Sequence, residues 1–328
     1  MPLPTSFVRP KEADRTKRWP ALLKAFSSML VFGVGACLLW QYRGFVVANV
    51  RFEVTYLTLN ILGIVSSCIL IGLKYQATFW LLGLRLSIAD SVAVGLTNRF
   101  FNQFFASLGE VLVAVYMKRA HELPLLAYSG LFVATWCLSL LINLTLVGFV
   151  VLLFVWLPYG LLLLFGLAVV AVVAWILLKR YLSRPFSGRS ASFFGALEAI
   201  FRHPSIVAWV VLLDLLYALG MVLRYWASFR LAGMELSWGK SMALVPFANV
   251  ITMLGITPLG AGLTEYALGY LGRVLDYDVR IGALASSLDR GAMLLTTIVL
   301  GPLGYAWLML RIPGGRKKKP SGVLPPAL

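Results

Sequence analysis

Ile256-Thr257-Pro258-Leu259-Gly260-Ala261-Gly262-Leu263-Thr264-Glu265 interrupts an apolar stretch that extends over residues 241–271. Pro258 stops an incoming helix, because its ring removes a backbone donor and crowds the preceding turn. Gly260 and Gly262 permit a tight reversal at positive φ. Thr264 and Glu265 then fall near the start of a returning helix, where exposed amides and the helix dipole favour anionic groups. Pro246, Asn249 and Gly255 lie in the same stretch. A lipid-facing crossing does not carry such groups in its middle. Non-helical backbone at membrane depth is tolerated only beside protein or a water-filled cavity. The stretch therefore reads as a re-entrant helical hairpin.

The membrane setting comes from the rest of the chain. Of its 328 residues, 60% are hydrophobic and 13% charged, against roughly half and a quarter in a soluble domain. The excess falls in runs at 21–40, 54–73, 125–155, 161–178, 206–231 and 281–310. About 20 residues are what a helix needs to cross some 30 Å of hydrocarbon. Lipid satisfies no backbone amides, so these runs are helices, and they lack the alternation of barrel strands. A second stretch, 91–116, is again polar in its middle, with Asn98, Arg99, Asn102, Gln103, Gly109 and Glu110. It reads as another re-entrant hairpin. Pro158, Tyr159 and Gly160 form a turn between the third and fourth runs.

The net charge of +16 is carried by short loops and by both ends, including Arg316, Lys317, Lys318 and Lys319. Basic flanks stay on the cytoplasmic side of membrane spans, so the charge calls for anionic headgroups and no nucleic acid. With the N-terminus inside, two crossings return the chain at Lys74 and Arg85. A hairpin keeps Lys118 and Arg119 inside. Two more crossings leave the basic loop 179–202 inside, and the last crossing brings the tail in. If both polar stretches crossed fully, that loop would lie outside, against the positive-inside bias. Each half is then two crossings, a hairpin and one crossing, entered from opposite sides. This is an inverted-topology repeat, the architecture of many transporters, with the substrate site where broken helices meet near the midplane. The hairpins share a faint pattern, Phe101-Asn102 with Gly109-Glu110 and Phe247-Ala248-Asn249 with Gly262 and Glu265.

The expected fold is an all-α polytopic membrane protein of about six crossings and two re-entrant hairpins. Residues 1–20 form a basic cytoplasmic segment. Residues 21–311 form one transmembrane domain, with halves at 21–157 and 161–310, and 312–328 form a basic disordered tail. Both termini are expected in the cytoplasm of a cell whose inner (plasma) membrane holds the chain. The first run is too long for a cleavable signal.

Cys37, Cys68 and Cys137 sit singly in apolar runs and read as small buried residues. His121 and His203 are isolated in loops, and no metal-ligand spacing, phosphate loop or nucleophile elbow is present. No cofactor and no enzymatic activity are expected.

Ionisable residues in a membrane cost roughly 2.5–3.5 kcal/mol each on insertion scales, so each asks for a function or a partner. Glu265 either lines a lipid phosphate's path or caps its own helix. Arg99, with Asn102, Gln103 and Glu110, forms an opposing set. Arg99 holds a phosphate, pairs with Glu110, or snorkels to the interface. Asp289 and Arg290 lie on the last crossing, Asp214 and Arg224 on the fifth. Asp214 and Arg224 are about 15 Å apart along a helix, so each needs a partner on another helix. Structural pairing competes with function for all four. Trp19, Trp40, Tyr42, Trp156, Tyr159 and Trp238 suit an interfacial aromatic belt.

These residues resemble the flippase-like transmembrane family named after the membrane domain of bacterial lysylphosphatidylglycerol synthases. The resemblance covers residues 84–310. Pro246 and the decapeptide resemble that family's Pro-Gly-Gly-x-Gly-x-x-Glu hairpin, with Leu259 in place of one glycine. The helix from Ala283 through Asp289-Arg290 resembles the one that follows it. Residues 98–105 resemble its Phe-Asn-Gln-Phe stretch, and Lys118-Arg119 its basic end. The chain departs from the pattern at Ala106-Ser107-Leu108-Gly109-Glu110, which is shortened. It departs again at Ala134-Thr135-Trp136, where an arginine is common. The resemblance implies movement of a lipid or lipid-linked molecule between leaflets. It makes Arg99, Asn102, Gln103, Glu110, Asn249, Thr257, Pro258, Gly260, Gly262, Glu265, Asp289 and Arg290 the candidate lipid-binding set. Implied partners are anionic phospholipid or lipid-linked glycan, and lipid- or glycan-assembly enzymes. Some members carry a fused synthase domain. None is seen here, so lysyl transfer is not expected of this chain.

Two other readings compete. One is a scaffold that holds a synthase or glycosyltransferase through the basic loop 179–202. The other is an intramembrane enzyme, for which no positioned His, metal cluster or serine nucleophile is found. With no ATP site, active transport would need an ion gradient or a partner, and passive scrambling needs neither.

Overall fold

The computed structural model describes residues 40–41, 43–105, 107–154, 157, 159–169, 189–254 and 262–312, and every regular element among them is a helix. Four helices are long and apolar enough to cross a membrane. They are α2 (Val54–Trp80), α5 (Leu125–Phe154), α8 (Pro204–Leu231) and α11 (Val279–Arg311). Short helices α1 (Arg43–Asn49), α6 (Tyr159–Val169) and α7 (Arg189–Arg202) connect or flank them. Two helix pairs sit between the long helices. The first is α3 (Ile88–Phe104) and α4 (Leu108–His121). The second is α9 (Trp238–Met253) and α10 (Leu263–Leu275). None of these four exceeds about 25 Å at 1.5 Å per residue, too short to cross alone.

Local chemistry places the pairs alike. After α2 the chain turns at Gly83 with φ +74°, and after α8 at Gly233 with φ +75°, a conformation that glycine adopts without a Cβ penalty. Ser87 then caps α3 by accepting the Asp90 amide at 3.1 Å, and Ser237 caps α9 from the Lys240 amide at 3.3 Å. Each hydroxyl satisfies an amide that the first turn leaves orphaned. Ser91 and Ser241 bond back to the carbonyls of those caps. The recurrence sets Asn249 in register with Arg99, three residues from the match with Asn102 that the Phe-Asn pattern suggests. The second helix of each pair ends on a left-handed residue, Glu122 or Asp276.

Packing interlocks the halves. Helices α2 and α8 run antiparallel, since Asn60 meets Ser228 while Lys74 meets Asp214. Helix α3 packs on α2 and on α11, whereas α9 packs on α8 and α5. Each pair thus leans on a long helix of the other half. The α2–α3 crossing is close because Gly72 and Gly95 face the backbone of Ser91 and Cys68, where a Cβ would collide with a carbonyl. Small residues permit such approach between membrane helices. One core gathers around Phe79, Val113, Met117 and Leu131, and a second around Phe229, Leu244, Leu268 and Leu284. Outside, Leu62, Trp209, Leu219, Leu295, Val299 and Leu303 stand exposed, the apolar surface expected to face lipid.

Three sequence expectations change. The basic stretch 179–202, read as a loop, is helical from residue 189 onward as α7, which packs on α5. The second run is longer than residues 54–73: α2 continues to Trp80 and carries Lys74 inside the helix rather than in a loop. The helix accommodates that charge because Asp214 receives it. Pro246, read as a breaker, lies within α9, which continues past it. The crossing at 21–40 lies outside the described residues except for Trp40, and the one at 161–178 is described only as part of α6.

Candidate functional site

Between the two halves lies a cavity of about 240 Å³. Its wall is polar where helices from both halves converge. Lys74 and Tyr75 come from α2, Asn98, Arg99 and Asn102 from α3, Glu110 from α4 and Trp136, Ser139 and Asn143 from α5. Asp214 and Tyr217 come from α8 and Asn249 and Thr252 from α9.

Three of these groups close a network. Lys74 Nζ donates to Asp214 Oδ1 at 2.8 Å and to the Ser139 hydroxyl at 3.0 Å, and Ser139 donates to Asp214 Oδ2 at 2.6 Å. Three helices are tied by one satisfied charge pair. Asn249 continues the polar wall by donating to Asn143 Oδ1 at 3.0 Å, and Asn143 donates to the Ser139 carbonyl at 2.8 Å.

The first helix pair is organised around Asn102. Its side chain accepts the Gly109 amide at 2.8 Å and donates to Glu110 Oε1 at 2.9 Å. Asn98 donates to the Tyr75 hydroxyl at 3.3 Å. Glu110 Oε2 is buried with no hydrogen-bond partner among the described residues. Arg99 is 9% exposed. Its guanidinium donates to the Tyr217 hydroxyl and stands 5.5 Å from the centroid of that ring. It neither pairs with Glu110 nor snorkels. Gln103 is buried beside it in sequence, with Nε2 unpartnered among the described residues.

Behind Arg99 and Tyr217 a smaller pocket of about 20 Å³ is lined by Thr252, Arg224, Asp289 and Arg290. Arg224 grips Asp289 in a fork, Nε to Oδ1 at 3.1 Å and Nη2 to Oδ2 at 2.7 Å. Asn60 donates to Asp289 Oδ1 at 3.3 Å as well. The pair is sealed, with side-chain exposures of 2% and 4%. Bidentate geometry is what lets a buried pair offset its desolvation. Glu265 accepts the Gly262 amide at 2.7 Å, capping its own helix, and pairs with Arg290.

The candidates therefore separate. Arg99, Asn102, Glu110 and Asn249 share the large cavity. Asp289 is held by Arg224, and Glu265 by Arg290 and Gly262. Gln103 is not on either wall. Thr257, Pro258 and Gly260 lie outside the described residues. Sequence reasoning missed Lys74, Trp136, Ser139, Asn143 and Tyr217 as cavity residues.

Of the four cations around the two pockets, Lys74, Arg224 and Arg290 each have a carboxylate partner. Arg99 has none among the described residues. A guanidinium with no carboxylate partner among the described residues, on the polar side of a half-open cavity, is arranged to receive an anion, and its planar fork fits phosphate.

Long apolar helices, interlocked short pairs and a cavity with polar side chains between them define a polytopic α-helical membrane protein. The chain belongs to the Lysylphosphatidylglycerol synthase TM region family, matched over residues 21–301. Membership sets it among multi-pass membrane proteins related to lipid handling. Comparison with curated proteins and with solved structures found no match.

Proposed function

We propose that this chain binds the phosphate of a membrane lipid at Arg99 and carries the headgroup through the cavity between leaflets of the inner membrane. The observation that carries the reading is the cavity wall itself, where Arg99 faces polar side chains from both halves and has no carboxylate of its own among the described residues. A guanidinium in no direct contact with a carboxylate at membrane depth is unfavourable unless a ligand or water meets it. Family membership, with its relation to lipid handling, supports the same reading.

In this account the α3–α4 and α9–α10 pairs are re-entrant hairpins that enter from opposite faces, and about six helices cross. Both termini lie in the cytoplasm, as the basic loops and tail favour. The matching caps and reciprocal packing of the halves support an inverted repeat. Alternating access would then tilt one half against the other around the cavity. Arg99 and Asn102 engage the phosphate, while Glu265 and Asp289 hold the architecture. The lipid is an anionic phospholipid or a lipid-linked glycan, and the assembly enzymes of such lipids are the proposed partners.

Native mass spectrometry of the protein in mild detergent tests this directly. A defined lipid retained by the wild type and lost in Arg99→Ala is the expected result. Bulk phospholipid unchanged by the substitution would move the function to the basic segment 179–202, which includes α7, and a scaffold role.

A further inference from the structure

The halves differ at one matched position. Glu265 is the third residue of α10, and Arg290, the twelfth residue of α11, neutralises it. Glu110 is likewise third in α4, but the twelfth residue of α5 is Trp136. Among the described residues, Glu110 thus lacks the paired cation that its counterpart has. Its Oε2 is buried and unpartnered among the described residues, and both Glu110 and Trp136 line the large cavity.

Among the described residues, the ionisable side chains on the cavity wall, tyrosines aside, are Lys74, Arg99, Glu110 and Asp214, two basic and two acidic. Their formal charges cancel. A phosphodiester brought to Arg99 adds one negative charge in a medium where uncompensated charge is costly. Asp214 is already satisfied by Lys74 and Ser139. Glu110 has an oxygen to spare.

We infer that Glu110 is the cavity's cation subsite and takes one positive charge together with each lipid phosphate bound. The inference rests on the phosphate reading of Arg99. Two sources supply the charge. A proton from bulk buffer forms an O–H bond at Oε2, leaving the buffer's conjugate base behind. Alternatively, the ammonium of the lipid's own headgroup sits against the carboxylate and the Trp136 face, where cation–π attraction adds to it. Other groups that bear on Glu110 are Tyr75 on α2, Tyr128 on α5, and Arg99 on α3. Across the cavity Lys74 and Asp214 pair with each other. Helix α9 contributes the uncharged Asn249, Thr252 and Met253 to this wall, and among the described residues α11 contributes none of it.

Calorimetry with the full chain in detergent, titrated with short-chain phosphatidylglycerol or phosphatidylethanolamine in two buffers of different ionisation enthalpy, reads proton uptake directly. Phosphatidylglycerol is expected to bind with uptake of about one proton, and phosphatidylethanolamine with none. In Glu110→Gln the uptake disappears while phosphatidylglycerol still binds. Trp136→Arg, which restores the second half's arrangement, removes the uptake by another route. Phosphatidylglycerol binding without proton uptake in the wild type, or uptake unchanged in Glu110→Gln, overturns the inference and leaves the Arg99 reading standing. Binding that Arg99→Ala leaves untouched, or no binding at all, overturns both.

Discussion

Lys74 of α2 and Asp214 of α8 meet at 2.8 Å across the seam between the two halves, with Ser139 of α5 bonded to both. The pair is the point where three long helices are joined by charge. It opens onto the cavity, with 25% of the Lys74 side chain exposed against 7% for Asp214. Removing only the cation strands a carboxylate at membrane depth. Lys74→Met is expected to cost about 2 kcal/mol, moderated by access to the cavity. Lys74→Met combined with Asp214→Leu removes both charges and should recover most of that loss. Thermal unfolding of the two variants in detergent measures the coupling.

The Arg224–Asp289 pair is far less exposed than Lys74, so solvent moderates its loss less. Asp289→Asn is expected to cost about 3–5 kcal/mol, more than Glu265→Gln at the more exposed Arg290 pair. A glutamine at 265 still offers an oxygen to the Gly262 amide. The order of unfolding temperatures, Asp289→Asn well below Glu265→Gln, checks this.

Helix α3 approaches α2 with nothing between their backbones at Gly95. Gly95→Ala drives a Cβ into the Cys68 carbonyl and is expected to lower the yield of folded protein sharply. At Gly239, also helical, a Cβ meets nothing within 4 Å. Gly239→Ala is expected to stabilise by about 0.5–1 kcal/mol through helix propensity alone. Size-exclusion profiles of the two variants distinguish a packing requirement from a general intolerance to methyl groups.

Proton uptake with an anionic lipid has a sign that binding assays can read. A complex that gains a proton on forming is favoured as pH falls. The affinity for phosphatidylglycerol should therefore weaken as pH rises, and Glu110→Gln should flatten that slope. The affinity for phosphatidylethanolamine should show no such slope.

The long helices were legible because run length and apolarity answer directly to bilayer thickness. Ser87 and Ser237, Gly83 and Gly233 were also in plain view, but as single polar residues they signal nothing until their helices are seen to match. Arg99, Asn102, Glu110 and Asn249 stood out because polar residues in an apolar stretch call for partners. Run-length logic misled at Lys74: a charge ends an apolar run in the sequence but not in the helix, when Asp214 waits on another segment. Tyr217 and Trp136 carried no distinguishing signal, since aromatic residues in apolar runs equally suit packing or an interface. Trp136 was noticed only as the absence of an arginine. The capping of Glu265 by its own hairpin was anticipated as one alternative, and a structural partner for Arg290 as another, but that the two residues meet each other took side-chain geometry to see.

The central claim is that the Arg99 cavity carries lipid headgroups across the membrane. The most direct measurement is translocation of a fluorescent phospholipid in vesicles reconstituted with wild type or Arg99→Ala, matched for folded protein. The account predicts that the wild type speeds exchange between leaflets and that Arg99→Ala falls to the protein-free rate. Equal rates for the two proteins, or a wild type no faster than empty vesicles under any imposed pH gradient, would contradict it.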